Sequence, residues 1–310
     1  MKKIKKWLYD NRNNPFLVFL DKLLYRFNDH GLISASGSLV YFIILSIFPF
    51  LIALLNILNF TNIFSSESII SLVKFLPNEI SGIVTNFLRE ITASSSGELL
   101  SFSVILGFWS ASKGIKQIIK NINMAYGFKE TRGFLKISLI SIGFTIALAI
   151  MIILLLFTQV FGKIILENLI YYIGLQSKTT SLWRILNNII PISYMIITFA
   201  LLYKYSPSAD QRHLLRKKTI VPGAFFATFG TILVTKIFSF YVGNFANYSI
   251  TYGSLGGMMV LLIWLWLMSM IILLGGEINA VISSMISTKS DEYWPREESV
   301  IKPIIKDYDV

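Results

Sequence analysis

The sequence predicts an all-α fold, a polytopic membrane helix bundle with six transmembrane helices and amphipathic helices at its interfaces. Three observations predict it: 54% of the 310 residues are hydrophobic, the apolar residues form long runs with few charges, and the basic residues gather in alternate connecting segments. A run of about 18 or more apolar residues indicates a membrane-spanning helix, because about 20 residues cross a hydrocarbon core of about 30 Å. A helix also satisfies its own backbone hydrogen bonds within lipid. The alternating pattern of barrel strands is absent from the sequence.

The first 34 residues are predicted to be a basic, amphipathic cytoplasmic segment. The opening "MKKIKKW" resembles the charged start of a signal peptide, but "YDNRNNP" follows it in place of an apolar run. We therefore expect the first span to act as an uncleaved signal anchor. Residues 16–29 are predicted to form an amphipathic helix on the inner membrane surface. Its apolar side would carry Leu20, Leu23, Leu24 and Phe27, and its polar side Asp21, Lys22 and Arg26.

A transmembrane domain is predicted over residues 35–286. Residues 66–92 within it carry apolar residues at helical spacing on both sides of Pro77, which predicts a helical hairpin on the outer face. This hairpin either packs on the bundle or acts as a lid or an outer-leaflet lipid contact. Residues 287–310 are predicted to be a cytoplasmic tail. The six spans are expected at about residues 35–60, 99–119, 137–161, 183–203, 219–240 and 255–274.

The distribution of basic residues predicts the orientation of the spans. Segments predicted to lie inside hold 22 of the 28 Lys and Arg residues, whereas segments predicted to lie outside hold five. Because Lys and Arg accumulate in cytoplasmic loops, both termini are predicted to be cytoplasmic. The same bias explains the net charge of +11, so no nucleic-acid partner is expected. Membrane lipids are the expected partners, while a second copy of the chain or an envelope protein stays open as a further partner.

The sequence shows no pattern typical of an enzyme. It contains no cysteine, which excludes disulfides and thiolate chemistry, and its two histidines are His30 and His213. These histidines are far apart in sequence and belong to no metal-binding or catalytic motif. The sequence also contains no phosphate-binding loop and no nucleophile elbow. We therefore predict no enzymatic activity, no catalytic residue, no metal and no cofactor.

Three prolines and one short polar loop are candidate functional features. Pro49, Pro191 and Pro222 lie within predicted spans, where each removes a backbone donor and frees a carbonyl. They are candidate helix breaks that would expose polar backbone to a substrate, and the alternative is a simple kink. The loop before the last span would either hydrogen-bond its own turn or line an outer mouth. Its candidate polar and turn residues are Asn244, Asn247, Tyr252 and Gly253.

Lys113 and Glu277 are predicted to form an ion pair at the inner mouth of the bundle. Residues 255–274 rise about 30 Å, so Glu277 is expected just past the inner edge of the membrane. Lys113 follows the start of the second span by about 21 Å and falls short of that edge. An unpaired charge in hydrocarbon costs about 3 kcal/mol, and Glu277 is the acidic residue nearest in predicted depth. The alternative is a carboxylate solvated at the interface.

Several stretches resemble the YihY/BrkB-like integral membrane family. They are "SASGSLVYFIILSIFPFLIALL", "FWSASKGIKQIIKNINMAYG", "KTIVPGAFFATFG", "FYVGNFANYSITYGSLGG" and "LLGGEINAVI", in the family's order over about residues 20–285. The resemblance implies a six-span bacterial inner-membrane protein with both termini inside, and it suggests a link to envelope lipid handling. The family also carried the name ribonuclease BN, which the present sequence does not support. The resemblance carries over no catalytic residue.

The leading functional hypothesis is transport or accommodation of a lipid-like or small amphipathic substrate, since broken helices and interfacial amphipathic segments suit that role. The alternative is a scaffold for an envelope complex that moves no substrate. A membrane-bound nuclease is a third hypothesis, which the missing metal site and general base disfavour. A continuous polar cavity through the bundle would favour transport, whereas a solid apolar bundle with an exposed patch would favour scaffolding.

Overall fold

The structure, a computed structural model, describes residues 7, 9–11, 14–60, 97–150, 179–208, 215, 217–244, 255–286 and 299–301. Within these ranges the chain forms helices and turns and no strand, which confirms the all-α fold class there. The seven long helices of the described residues are α1 (Pro15–Asp29), α2 (Leu32–Phe60), α3 (Gly97–Ala125), α4 (Phe134–Ile150), α5 (Thr179–Tyr205), α6 (Lys217–Asn244) and α7 (Gly256–Ile286). Each predicted span overlaps one of the helices α2 to α7, and residues 151–161 of the third predicted span lie outside the described part.

Two of the described helices are long and apolar enough to cross a membrane, as judged by length and composition. They are Lys218–Gly243, within α6, and Gly256–Ile286, which is α7. The number rises to three if α1 and residues 32–46 of α2 are counted as one bent span. Large apolar side chains are exposed on α6, with Ile237 at 59% and Phe240 at 64%. Such surfaces suit contact with lipid, since hydrocarbon solvates them without cost.

Local sequence signals set the two ends of α1. The Asn14 side chain accepts a hydrogen bond from the Phe16 backbone N–H at 2.9 Å, and Pro15 occupies the first turn, where a missing N–H costs little. Beyond the other end Gly31 has a φ of 58°, which favours glycine, and its N–H bonds the Asn28 carbonyl at 3.1 Å. α2 begins directly afterwards at an angle of 57° to α1. This bend packs α1 against α7.

The three candidate helix-breaking prolines lie inside continuous helices. Pro49 lies within α2, Pro191 within α5 and Pro222 within α6, and each helix extends on both sides of its proline. The expected breaks are therefore not found at these positions, because neighbouring helices can satisfy the backbone groups that a proline frees. Directly after Pro222, the Gly223 N–H donates to the Asn279 side-chain oxygen at 2.6 Å. The sharp bend described above lies at Gly31 instead.

Helices α6 and α7 approach each other closely through small residues. A methyl group added to Gly223 would overlap the Gly275 carbonyl oxygen, and one added to Gly275 would overlap the Tyr203 hydroxyl. Tyr203 itself donates to the Ile272 carbonyl at 2.7 Å. The helices thus pack backbone to backbone, as small residues four apart predict. The surrounding core consists of buried side chains from α2, α3, α5, α6 and α7, among them Leu39, Ile115, Ile119, Ile122, Phe199, Leu202, Ala224, Ala227, Leu273 and Ala280.

Several predicted features lie outside the described residues. They include the outer hairpin at residues 66–92, most of the tail at 287–310, and the single residues His213, Asn247, Tyr252 and Gly253. Asn244 is the last residue of α6, and its side chain is also outside the described part. The domain boundaries and the outer-loop site therefore stay predictions.

Candidate functional site

A buried polar cluster lies where α1, α3 and α7 meet. We define it as Arg26, His30, Tyr126, Glu277 and Asn279. Four of the five residues are at most 2% exposed, namely Arg26, Tyr126, Glu277 and Asn279, and the His30 side chain is 11% exposed. Buried charged and polar groups are costly unless they are paired. A cluster of this size inside a bundle of apolar helices is therefore the leading candidate for a functional site.

The centre of the polar cluster is a contact between Glu277 and His30. The His30 Nδ1 lies 2.7 Å from Glu277 Oε1, the distance of a charge-assisted hydrogen bond. A carboxylate only accepts hydrogen bonds, so the imidazole Nδ1 carries the hydrogen when Glu277 is ionised. Glu277 Oε2 is also buried, and it has no hydrogen-bond partner among the described residues. Because His30 sits in the turn between α1 and α2, this contact joins that turn to α7.

Arg26 brings a positive charge to Glu277. Its Nη1 donates to the Ala125 carbonyl at 3.0 Å, at the C-terminal end of α3, where carbonyls have no partner within the helix. The guanidinium is close enough to Glu277 to interact with it by charge. The buried carboxylate therefore faces two basic side chains, and both belong to α1 or to the turn that follows it.

The position of Arg26 corrects the predicted faces of α1. The helix forms where it was predicted, but Arg26, which was assigned to the polar surface, is buried. Leu24, which was assigned to the apolar side, is 55% exposed. The physical reason is that the guanidinium donates to the Ala125 carbonyl inside the protein and the nearby Glu277 carboxylate attracts its charge.

Asn279 extends the polar cluster toward α6. Its Oδ1 accepts the hydrogen bond from the Gly223 N–H described above, and its Nδ2 is buried without a hydrogen-bond partner among the described residues. Glu277 and Asn279 lie two residues apart on α7. One short segment of α7 therefore contacts both the α1–α2 turn and the beginning of α6.

The predicted pair between Lys113 and Glu277 is not formed. The carboxylate bonds His30 instead, and the Lys113 ammonium lies over the Trp109 ring, 5.1 Å from its centroid. The alternative expectation, a solvated carboxylate, does not fit the 2% exposure of Glu277 either. His30 was not predicted as the partner of Glu277. The available signal was depth, because His30 precedes the first predicted span and is therefore expected at the same end of the spans as Glu277.

An apolar cavity of about 290 Å³ lies among α2, α3, α4 and α7. Four hydroxyl side chains reach its otherwise apolar wall, and one of them, Ser269, has a buried Oγ without a hydrogen-bond partner among the described residues. A dry apolar cavity of about 150 Å³ is large enough to bind benzene. The present cavity therefore has room for a segment of an apolar chain. Its main apolar lining residues are Leu39, Phe42, Phe108, Ile115, Leu148 and Ile272.

Helix α7 connects the apolar cavity to the polar cluster. Ile272 lines the cavity, and Glu277 follows five residues later, a rise of about 7.5 Å along the helix axis. Gly275 and Gly276 lie between them, and Tyr203 packs against both glycines. An amphipathic molecule with its apolar part in the cavity would thus have polar protein groups within about one and a half helical turns.

A second polar arrangement, the loop clasp, holds the α3–α4 loop to the end of α5. Arg132 bonds both carboxylate oxygens of Glu130, at 2.7 and 2.6 Å, and donates to the Ser206 carbonyl at 2.6 Å. Asn123 donates to Glu130 at 2.8 Å and accepts from the Ser208 N–H at 2.8 Å. Burial works to raise the pKa of Glu130, but the bonds and charge of Arg132 and the Asn123 bond outweigh it, so this pKa lies below its ordinary value.

The described part of the chain holds no group of three or more His, Asp or Glu side chains that could bind a metal ion.

The family described as Virulence factor BrkB matches residues 23–300, a range that contains the whole polar cluster and the cavity lining. The protein YfkH of Bacillus subtilis, whose name describes it as ribonuclease-like, is 37% identical over 266 residues, which cover 86% of this chain and 95% of that protein.

Two further relatives are named only as membrane proteins. A UPF0761 membrane protein of Alteromonas mediterranea is 24% identical over 303 residues, covering 94% of this chain and 97% of that protein. A UPF0761 membrane protein of Pseudoalteromonas atlantica is 25% identical over 273 residues, covering 84% and 85%. No solved structure matches the chain.

Proposed function

This chain belongs to the BrkB/YihY family of membrane proteins, and we propose that it crosses the bacterial cytoplasmic membrane six times with both termini inside. The excess of Lys and Arg in alternate connecting segments supports this orientation. Each of the helices α2 to α7 overlaps one of the six predicted spans within the described residues, which supports the number. By length and composition, two of the described helices, or three with the bent pair, could cross a membrane. In this orientation α1 and the polar cluster lie at the cytoplasmic end of the bundle.

Reporter fusions test the proposed topology. Fusions after His213 and at Val310 are expected to report the cytoplasm, whereas fusions near Ser95 and Ser177 are expected to report the exterior. The reason is that basic segments resist translocation across the membrane. A clear reversal at any one of the four positions would overturn the six-span arrangement.

We propose further that the bundle accommodates or moves a lipid-like or small amphipathic molecule. The apolar cavity carries this proposal, since it offers space for an apolar chain between four helices. Because the cavity wall is apolar, an apolar chain fits it better than a polar solute does.

The polar cluster would act as the cytoplasmic closure of this site. Arg26 ties α1 to the end of α3, and His30 ties the following turn to α7. These two contacts hold α1 against the bundle. They lie near Glu277, which is about 7.5 Å along the axis of α7 from Ile272 in the cavity wall.

Photo-crosslinking tests the proposed use of the cavity. The purified protein would be incubated with a phospholipid that carries a diazirine in one acyl chain, and crosslinked peptides would be mapped by mass spectrometry. Crosslinks are expected in the lining segments of α2, α3 and α4. Ala111→Phe and Ala149→Phe place bulk in the cavity wall and should reduce these crosslinks several-fold.

A matched control is Ile237→Phe, which adds bulk on the exposed face of α6 and should leave crosslinking unchanged. Folding of each variant would be checked by its elution as a single species in detergent. Crosslinks that are spread evenly over the exposed helix faces, and that stay unchanged in folded cavity variants, would refute lipid accommodation. That result would favour the alternative function, a scaffold that organises other envelope proteins without a substrate.

A further inference from the structure

A second cavity, of about 550 Å³, opens between α3, the α3–α4 loop and the start of α4. We call it the basic pocket. Lys116 and Lys120 lie one helical turn apart on α3 and line it, together with Asn123, Glu130 and Ile137. It is separate from the apolar cavity, since no residue lines both.

The charge of the basic pocket is positive. Among the described residues, neither Lys116 nor Lys120 has a carboxylate oxygen within 4.0 Å, and Lys113 is close enough to Lys116 to repel it. Glu130 is the acidic side chain in the lining, but its two oxygens are already bonded by Arg132 within the loop clasp. The pocket therefore offers two ammonium groups that no carboxylate of the described residues pairs with.

The Lys116 ammonium is held in position by neighbouring side chains. Its Nζ donates to Ser138 Oγ at 2.8 Å and lies 4.5 Å from the centroid of the Phe134 ring, so α4 fixes its direction. Lys120, one turn further along α3, is exposed. An oriented ammonium with unused donors is suited to binding an anion.

The surface beside the basic pocket is apolar and exposed. Trp109 is 54% exposed, and Phe134, Leu135 and Leu139 are 73%, 77% and 70% exposed. Tryptophan is enriched at membrane interfaces, and basic pockets on the cytoplasmic side bind phosphate-bearing headgroups. A positive pocket that opens beside an apolar face matches a molecule with an anionic head and apolar chains better than it matches a free ion.

We propose that the basic pocket binds the phosphate of an anionic phospholipid at the cytoplasmic surface, with Lys116 and Lys120 as its ligands. This inference rests on the proposed orientation of the chain and names the charge class of the lipid. The phosphate lies between the two ammonium groups. The acyl chains run along the exposed side chains of α3 and α4.

Competitive lipid binding tests the proposal. The full chain in detergent would be titrated with an equimolar mixture of phosphatidylglycerol and phosphatidylcholine, and the ratio of retained lipids would be read by native mass spectrometry. The unmodified protein should prefer phosphatidylglycerol. The double variant Lys116→Gln/Lys120→Gln should lose about 30-fold of that preference, from the attraction typical of two lysines near an anionic surface.

The control is Lys129→Gln/Lys136→Gln, which removes the same charge from exposed lysines of the same segment that do not line the pocket. It should keep most of the preference. Equal losses in the two double variants would overturn the proposal, because they would indicate a diffuse surface charge. Equal retention of both lipids by the unmodified protein would overturn it as well.

Inorganic phosphate distinguishes the two sources of the anion. At millimolar concentration it should not displace phosphatidylglycerol, and displacement at a concentration equal to that of the lipid would reassign the pocket to free phosphate. The result is separable from the proposed function. If the proposed function and this inference are both correct, Lys116→Gln/Lys120→Gln loses the lipid preference but keeps acyl crosslinking in the apolar cavity. If the lipid-preference test fails while crosslinking in the apolar cavity is intact, only this inference is wrong.

Discussion

Replacing Glu277 should expose how strongly the polar cluster holds α1 to the bundle. In Glu277→Ala, the His30 hydrogen bond is lost and the Arg26 guanidinium, 1% exposed, keeps the Ala125 carbonyl but loses its facing negative charge. Removing one partner of a buried charge pair typically costs about 3–5 kcal/mol. At about 2 °C per kcal/mol for a chain of this size, the melting temperature should fall by roughly 6–10 °C.

The isosteric variant separates charge from hydrogen bonding. Glu277→Gln keeps an acceptor for His30 Nδ1 but removes the negative charge, so its cost should be smaller, about 1–3 kcal/mol. Combining it with Arg26→Met removes both charges. The double variant should then be more stable than additive effects of the two single changes predict, by at least about 1 kcal/mol. The unfolding of detergent-solubilised protein, followed by tryptophan fluorescence, measures all four states of this cycle.

Glu98→Gln is the matched control, since Glu98 lies exposed in the first turn of α3. It should change stability by less than about 0.5 kcal/mol. The reasoning about the polar cluster would be refuted if Glu277→Ala behaved like this control. It would also be refuted if Arg26→Met and Glu277→Gln proved strictly additive, because residues that share a buried charge pair must couple.

Two further predictions concern the loop clasp and the α6–α7 contact. The folded-state pKa of Glu130 lies below its ordinary value of 4.5, so its bonds stabilise the fold above that pH, and this stabilisation is lost as the pH falls below it. The difference in stability between the wild type and Glu130→Gln should therefore shrink when melting is followed from pH 7 to pH 4. A difference that grows on acidification would contradict the lowered pKa. In Gly275→Ala the added methyl overlaps the Tyr203 hydroxyl, which should lower the free energy of unfolding by about 1–3 kcal/mol. Gly243 has open space around it, so the control Gly243→Ala should be neutral or stabilising. Equal melting temperatures for the two variants would contradict the close approach of α6 and α7.

Local patterns in the sequence predict the helices and the family. Long apolar runs favour helices wherever water cannot satisfy the backbone, and for that reason each predicted span overlaps a helix within the described residues. The amphipathic pattern at residues 16–29 predicted α1, and Asn14, Pro15 and Gly31 set its ends. These are local effects, decided by residues within a turn or two of each other.

The tertiary structure alone decided which polar groups meet. Residue counting predicts how deep Lys113 and Glu277 lie, but depth is one coordinate, and the direction in which each side chain points around the bundle depends on the packing of its neighbours. Glu277 therefore met His30, 247 residues away, rather than the lysine at similar depth. For the same reason, the sequence pattern did not predict the burial of Arg26. Hydrophobic periodicity assigns a charge to the surface, whereas the packed bundle supplies the carbonyl and the carboxylate that allow it inside.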